Sequence, residues 1–344
     1  MDDVARLQPK DRSDLFRAAA EKRGVTINII EKDFWVCWVL RRLYTLKQPH
    51  HRIHFKGGTS LSKVFGVINR MSEDIDLVVD RGDLGFAQAN DPIDPGLSNK
   101  VRQRIIREIK VCTQKFVAVE LRPALDSTFA QALGSTAGSA TWSTALADDD
   151  PDDQTILFRF PTIEHPSQYV RPTVRLELGA RGNARPSVSG NVRPYAADML
   201  PDQFSTPDTK IPSVVAAQRT FWEKATILHM LHHQPADKPM TPRMARHYYD
   251  TFRLAEHQLG REALNDTDLL AEVVEHKQRF FPCAWARYDL AMPGALCLAP
   301  AKHRFSILRQ DYAVMAEEMM FDEVPEFDVM IEGLKQIESE INRK

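Results

Sequence analysis

Long apolar runs are missing from this 344-residue chain. No segment approaches the ~18 consecutive apolar residues of a membrane-spanning helix. The stretch Met1 to Lys10 mixes acids and bases and has no apolar core of the kind a secretory leader needs. Cysteine is scarce: Cys37, Cys112, Cys283 and Cys297 lie far apart with no C-x-x-C pair. They read as reduced core residues of a soluble, cytoplasmic protein with no membrane partner. A strong net charge is also lacking. The formal value is -2, so the overall balance demands no polyanionic partner, and any nucleic-acid surface must come from local segregation of charge. No internal repeat is present. What is present, 43% apolar and 27% charged residues, is globular in composition and enough for two or three cores.

The pattern is helical from Arg12 to about Leu46, with Ile29, Phe34, Val36, Trp38, Val39 and Leu43 on a broad apolar face of a helix from Asn28 to Leu46. A strand at Arg52 to Phe55, Gly57-Gly58, a helix from Thr59 to about Val67 and a strand from Ile75 to Val79 follow as one compact unit. Asn99 to Lys115 is an amphipathic helix with six basic residues against Glu108. Residues from about 126 to 153 read as a mobile acidic insert ending in Asp148-Asp149-Asp150-Pro151-Asp152-Asp153. Strands are expected at Thr155 to Phe160 and Thr173 to Leu178, then a Pro-rich connector from Pro186 to Pro212, then helices to the end. The division implied is an N-terminal helical segment over residues 1–50, a mixed α/β core over 51–205 and a C-terminal helical domain over 206–344.

Chemistry concentrates in Ser72-Glu73-Asp74-Ile75-Asp76-Leu77. Side chains two apart on a strand share a face, roughly 6 to 7 Å from each other. Two carboxylates at that spacing repel by on the order of 2 to 3 kcal/mol at an effective dielectric near 20, so they need water, a base or a cation. A divalent metal is the simplest answer, and a solvated strand end is the alternative for the pair taken alone. Glu177, in the apolar setting Val174-Arg175-Leu176-Glu177-Leu178, becomes a third ligand if its strand lies beside theirs. Gly57 and Gly58 permit a tight turn, and the N–H and hydroxyl groups of Thr59 and Ser60 at a helix start suit triphosphate oxygens. An ordinary helix cap is the alternative.

Phe55-Lys56-Gly57-Gly58-Thr59-Ser60-Leu61-Ser62-Lys63 followed by Arg70-Met71-Ser72-Glu73-Asp74-Ile75-Asp76-Leu77 resembles the AbiEii/AbiGii toxin family of the polymerase β-like nucleotidyltransferase superfamily. The similarity extends to Glu31-Lys32-Asp33-Phe34-Trp35, Phe221-Trp222-Glu223-Lys224 and Arg246-His247-Tyr248-Tyr249-Asp250, in the family's order.

The resemblance implies an α+β fold with a polymerase β-like nucleotidyltransferase core and mixed sheet. It implies an NTP substrate, Mg²⁺ or Mn²⁺ as cofactor, a tRNA 3′ end as acceptor with translation blocked, and a cognate antitoxin as partner. By motif, the phosphate loop from Gly57 to Ser60 holds the NTP and Asp74 and Asp76 hold the metal. Lys224 pairs with the triphosphate, and Asp250 positions Lys224 or the acceptor. The catalytic cleft is expected between the core and the helical domain. Transfer to a protein or small molecule, and a catalytically silent module that binds nucleotide or antitoxin, are the rival readings. Without the motif, Lys224 and Asp250 read as surface ion-pair partners.

Two further features stand apart. His229, His232 and His233 have helical i, i+3, i+4 spacing, but no acidic or cysteine ligand lies nearby in sequence, so a solvated or stacked histidine face is expected. Arg171, Arg175, Arg181, Arg185 and Arg193 surround Glu177 and, with the basic helix, offer an RNA track or two solvated basic faces. The acidic insert is expected off that track or as a lid.

Overall fold

The computed structural model describes residues 1–134, 142–163, 171–321 and 323–344. The helices, in chain order, are α1 (Asp2–Ala5), α2 (Pro9–Arg23), α3 (Ile27–Thr45), α4 (Gly57–Lys63), α5 (Asn99–Lys115), α6 (Arg122–Leu133) and α7 (Tyr195–Met199). They continue with α8 (Ala217–His233), α9 (Ala245–Glu256), α10 (Gln258–Leu264), α11 (Thr267–Phe280), α12 (Phe305–Met319) and α13 (Phe327–Asn342). The strands are β1 (Ile53–Lys56), β2 (Asp74–Val79), β3 (Ser143–Leu146), β4 (Thr155–Arg159), β5 (Thr173–Gly179), β6 (Ser187–Val192) and β7 (Thr209–Val215). They form a sheet in the order β3-β4-β5-β2-β1-β7-β6. β2 runs parallel to β5 and β1 to β7, whereas β1 with β2, β3 with β4, and β4 with β5 are antiparallel. The fold is α+β with a mixed sheet, and no described helix is long and apolar enough to cross a membrane.

Two compact units divide the chain. Met1–Val64, Met71–Asp94 and Ser98–Val214 form the first, and Phe65–Arg70, Pro95–Leu97 and Val215–Lys344 the second. In the first unit, the period of two in β2 and β5 sets the sheet's faces. Ile75, Leu77, Val174, Leu176 and Leu178 are buried, while Asp74, Asp76, Arg175 and Glu177 between them are only partly so. Helix α3 supplies much of the covering core. Trp35 stacks on Phe160 with centroids 5.7 Å apart, Trp38 stacks on Phe158 at 5.7 Å, and Phe129 of α6 reaches Phe158 at 4.6 Å. Each such ring, fully buried, contributes about 1.5 to 3 kcal/mol, so a one-residue slip of β5 that exposed Leu176 and Leu178 would be costly.

In the second unit, α8 packs on α9, α10 and α11, with Phe221, Trp222 and Leu228 fully buried. Residues 65–70 are woven into this unit. Arg70 bridges Met320, Phe321 N–H donates to Asn69 O at 3.1 Å, and Asn69 N–H donates to the Tyr249 hydroxyl at 3.2 Å.

Two stretches differ from the sequence expectation. The segment 186–212 is not a connector but carries β6, α7 and most of β7. Three of its prolines sit where a missing N–H is tolerated: Pro186 just before β6, Pro194 at the cap of α7, Pro201 opening a 3₁₀ turn. The insert 126–153 contains the end of α6 and the strand β3, although its residues 135–141 lie outside the described residues. Its acidic end is a tight turn, tied by the Asp150 carboxylate accepting from Asp152 N–H at 2.8 Å, Gln154 N–H at 2.7 Å and Thr155 Oγ1 at 2.8 Å. The Ser, Thr and Ala composition that read as a loop suits a short edge strand equally well.

Candidate active site

The parallel pairing of β2 with β5 puts Asp76 directly opposite Glu177 and Asp74 directly opposite Arg175. Antiparallel pairing on the far sides completes one line across four strands: Lys56, Asp76, Glu177, Thr155. Neighbouring strands lie about 4.8 Å apart, so the three carboxylates share one patch of one face. Partial burial, then Asp76, then Asp74 push the Glu177 carboxyl up to about 7, with Arg175 opposing. Glu177 therefore gives up its proton less readily than an ordinary carboxyl. Their oxygens are not drawn to one point: among the described residues, only His229, His233 and Cys297 bring potential ligand atoms within 4.8 Å of one another. A hard, all-oxygen donor set of this kind fits Mg²⁺ or Mn²⁺.

Gly57 lies against this patch. Its φ is +78°, and a Cβ there would stand 1.9 Å from Asp76 Oδ2. Glycine is thus required twice, for the left-handed backbone and for the space. The hydroxyls after it face inward. Thr59 Oγ1 is 2.9 Å from Ser72 Oγ and bonds the Asp74 carbonyl, and Ser60 Oγ donates to Gly57 O at 2.9 Å. Both side chains are buried: Thr59 fastens the loop to the start of β2, and Ser60 closes the loop on itself. The expectation that these hydroxyls themselves receive phosphate oxygens is at odds with that geometry.

Three consecutive charged residues in the apolar helix α3, quoted above without roles, hold the patch in place. Glu31 accepts from Thr162 Oγ1 at 2.9 Å and Ile163 N–H at 3.0 Å. Lys32 donates to Glu73 Oε2 at 3.3 Å, to Arg171 O at 3.1 Å and to Thr173 O, so one ammonium ties the residue before Asp74 to the start of β5. Asp33 accepts from Lys63 Nζ at 2.7 Å at the end of α4 and from Tyr195 N–H at 2.6 Å. All three are at most 3% exposed. The signal was in the sequence: a charged triplet inside an apolar helix must be paired internally.

The second unit holds Lys224 and Asp250. Asp250 is fully buried and takes a two-pronged bond from Arg70, with Nε and Nη2 each 2.8 Å away, and a third from Lys224 Nζ at 2.8 Å. Burial pushes its carboxyl up, but Arg70 and Lys224 outweigh this and hold it well below the ordinary range. Burial pulls Lys224 down, with Asp250 resisting. His247 beside them is kept neutral by burial and then by Lys224 and Arg246. These residues are therefore not a surface ion pair. Two cations share one carboxylate.

The basic segment around Glu177 is largely neutralised. Arg175 Nη1 is 3.1 Å from Asp149 and its Nε 3.4 Å from Glu177, Arg181 and Lys110 pair with Asp152, and Arg193 pairs with Asp198 and Asp208. The acidic turn is fastened onto these bases rather than standing away from them. On α5, Lys100, Arg104, Arg107 and Lys115 remain exposed.

The histidines also differ from expectation, because Cys297 does approach His229 and His233. Both His229 ring nitrogens are already engaged, Nδ1 by Cys297 N–H at 3.1 Å and Nε2 by Arg287 O at 2.9 Å. His229 therefore fastens the 287–297 segment to α8, and a metal there would have to displace one of the two bonds.

Residues 38–333 match the family described as "Nucleotidyl transferase AbiEii toxin, Type IV TA system". The chain belongs to this family. It is accordingly a nucleotidyltransferase toxin of the AbiEii type, from a family of toxin–antitoxin systems. Among solved structures it is similar to MenT4, a nucleotidyltransferase toxin from Mycobacterium tuberculosis, at 15% identity over 90% of this chain and 99% of that one, with a TM-score of 0.40. No curated protein sequence matches significantly.

Proposed function

We propose that this AbiEii-family protein transfers a nucleoside monophosphate from an NTP to an RNA hydroxyl, the 3′ end of tRNA being the acceptor, and thereby blocks translation. The observation that carries the metal-dependent part of this reading is the register that sets Asp76 beside Glu177, with Gly57 pressed on Asp76. Asp74, Asp76 and Glu177 would hold Mg²⁺ or Mn²⁺, which supplies charge neutralisation and activation of the acceptor oxygen for in-line phosphoryl attack. The backbone of Gly57 to Ser60 is assigned the NTP phosphates. Lys224 is assigned to the triphosphate, and Asp250, which it bonds at 2.8 Å, is the residue that positions it. A cognate antitoxin is the expected protein partner.

Incubation of the protein with each labelled NTP in turn and total RNA tests the acceptor. Label confined to tRNA-sized RNA supports the reading. A second reading, transfer to a protein or small-molecule hydroxyl, is favoured by one observation: Asp149 and Asp152 already neutralise Arg175, Arg181 and Lys110. Label absent from RNA but present on added protein or small-molecule acceptors would establish it.

A further inference from the structure

Arg175 is the one strand residue on the carboxylate face of β5 that carries the opposite sign, and its register partner is Asp74. Its guanidinium has two seats. Nε lies 3.4 Å from Glu177 Oε1, inside the acidic patch, and Nη1 lies 3.1 Å from Asp149 Oδ1, outside it. The Asp149 side chain is 70% exposed, that of Glu177 44% and that of Arg175 28%. Ion pairs this open to solvent are weak, so neither seat holds the guanidinium firmly. The outer seat is nevertheless fixed in space, because Asp149 is carried by the turn that Asp150 ties to Asp152, Gln154 and Thr155. A planar fork with several donors spans two carboxylates as an ammonium does not.

We infer that Arg175 is a resident counter-cation of Glu177 and that Asp149 is its parking place, so that Arg175 would move wholly onto Asp149 when Glu177 is taken by a divalent cation. Arg175 and Asp149 are then positioning residues: they act on the metal through Glu177.

The inference rests on Asp74, Asp76 and Glu177 being the metal ligands, and the test separates the two. Mn²⁺ binding to the full-length protein without nucleotide, read from the free-ion signal in electron paramagnetic resonance at one fixed pH, is measured for five forms. Wild type binds and Asp76→Asn does not, which establishes the site. Arg175→Gln binds Mn²⁺ ~3- to 10-fold more tightly, because the competing cation is gone, and Asp149→Asn binds ~3-fold more weakly, because the competitor has lost its alternative seat. In the Arg175→Gln, Asp149→Asn double variant the Asp149 effect vanishes. An equal loss on removing Asp149 in both backgrounds means only a long-range field and overturns the inference, as does weaker or unchanged binding in Arg175→Gln. Should Arg175→Gln not fold, Arg175→Lys replaces it. Its ammonium cannot span both seats, so the Asp149→Asn effect shrinks, and an undiminished effect overturns the inference. Binding that survives Asp76→Asn overturns the ligand assignment and the inference with it.

Discussion

Gly57 and Asp76 occupy the same small volume: any Cβ on Gly57 would lie 1.9 Å from one carboxylate oxygen of Asp76 and 2.6 Å from its Cγ. The glycine turn and the carboxylate pair are therefore one piece of structure, joined at a point where a single methyl group does not fit. Gly57→Ala should drive Asp76 out of position and strain a backbone with φ of +78°. The expected outcome is a loss of nucleotide transfer of at least about tenfold, or ~1.4 kcal/mol in the transition state, from a protein that still folds. Transfer assays beside a thermal melt check this, and wild-type rates in the alanine variant would contradict it.

Asp250 and Lys224 should separate when each is changed. Asp250→Ala removes the buried carboxylate that both Arg70 and Lys224 bond, a loss of about 3 to 5 kcal/mol. Lys224→Met removes a desolvated charge and leaves Asp250 its two bonds from Arg70. A fall in melting temperature is expected for Asp250→Ala and little change for Lys224→Met, with nucleotide transfer lost in both. Equal stability of the two variants would show that the buried group is not an ion-pair network.

Metal binding should depend on pH in a range unusual for carboxylates. With Glu177 raised to about 7, the metal-free cluster holds a proton below that value that must leave before the ion binds. Mn²⁺ affinity should therefore rise as the pH passes upward through about 7 and level off above it. In Glu177→Gln the dependence should disappear together with most of the affinity. A wild-type affinity flat from pH 8 down to the ordinary carboxylate range, roughly 4, would contradict the raised Glu177 carboxyl.

Lys32→Met should damage the site from a distance. It leaves the carbonyls of Arg171 and Thr173 and the Glu73 carboxylate without their shared ammonium, at a cost of about 1 to 3 kcal/mol. Loosened β2–β5 spacing should appear as weaker Mn²⁺ binding in a folded variant. Unchanged affinity would mean that Lys32 contributes to stability alone.

The sequence carried the local parts of this site well. Period-two alternation in Asp74 to Leu77 and Val174 to Leu178 was visible, and so was the glycine turn before it, because these are short-range signals. The register that puts Glu177 beside Asp76, and not one residue away, was not readable, since strand order depends on contacts remote in sequence. The same limit hid the pairing of Arg70 with Asp250, 180 positions apart, and made Lys224 look like a surface residue. Pro186 to Pro212 misled for a different reason: proline marks strand and helix starts as readily as connectors. The turn from Asp148 to Asp153 read as free acid because its basic partners, Lys110 and Arg181, come from α5 and from beyond β5.

The central claim is that this protein moves a nucleoside monophosphate onto an acceptor using the acids on β2 and β5. The most direct measurement is pyrophosphate release and RNA labelling from each NTP with total RNA and Mg²⁺, for wild type beside Asp76→Asn. The account predicts labelled tRNA and stoichiometric pyrophosphate from wild type and neither from Asp76→Asn at unchanged melting temperature. Label transfer that persists in Asp76→Asn would contradict it.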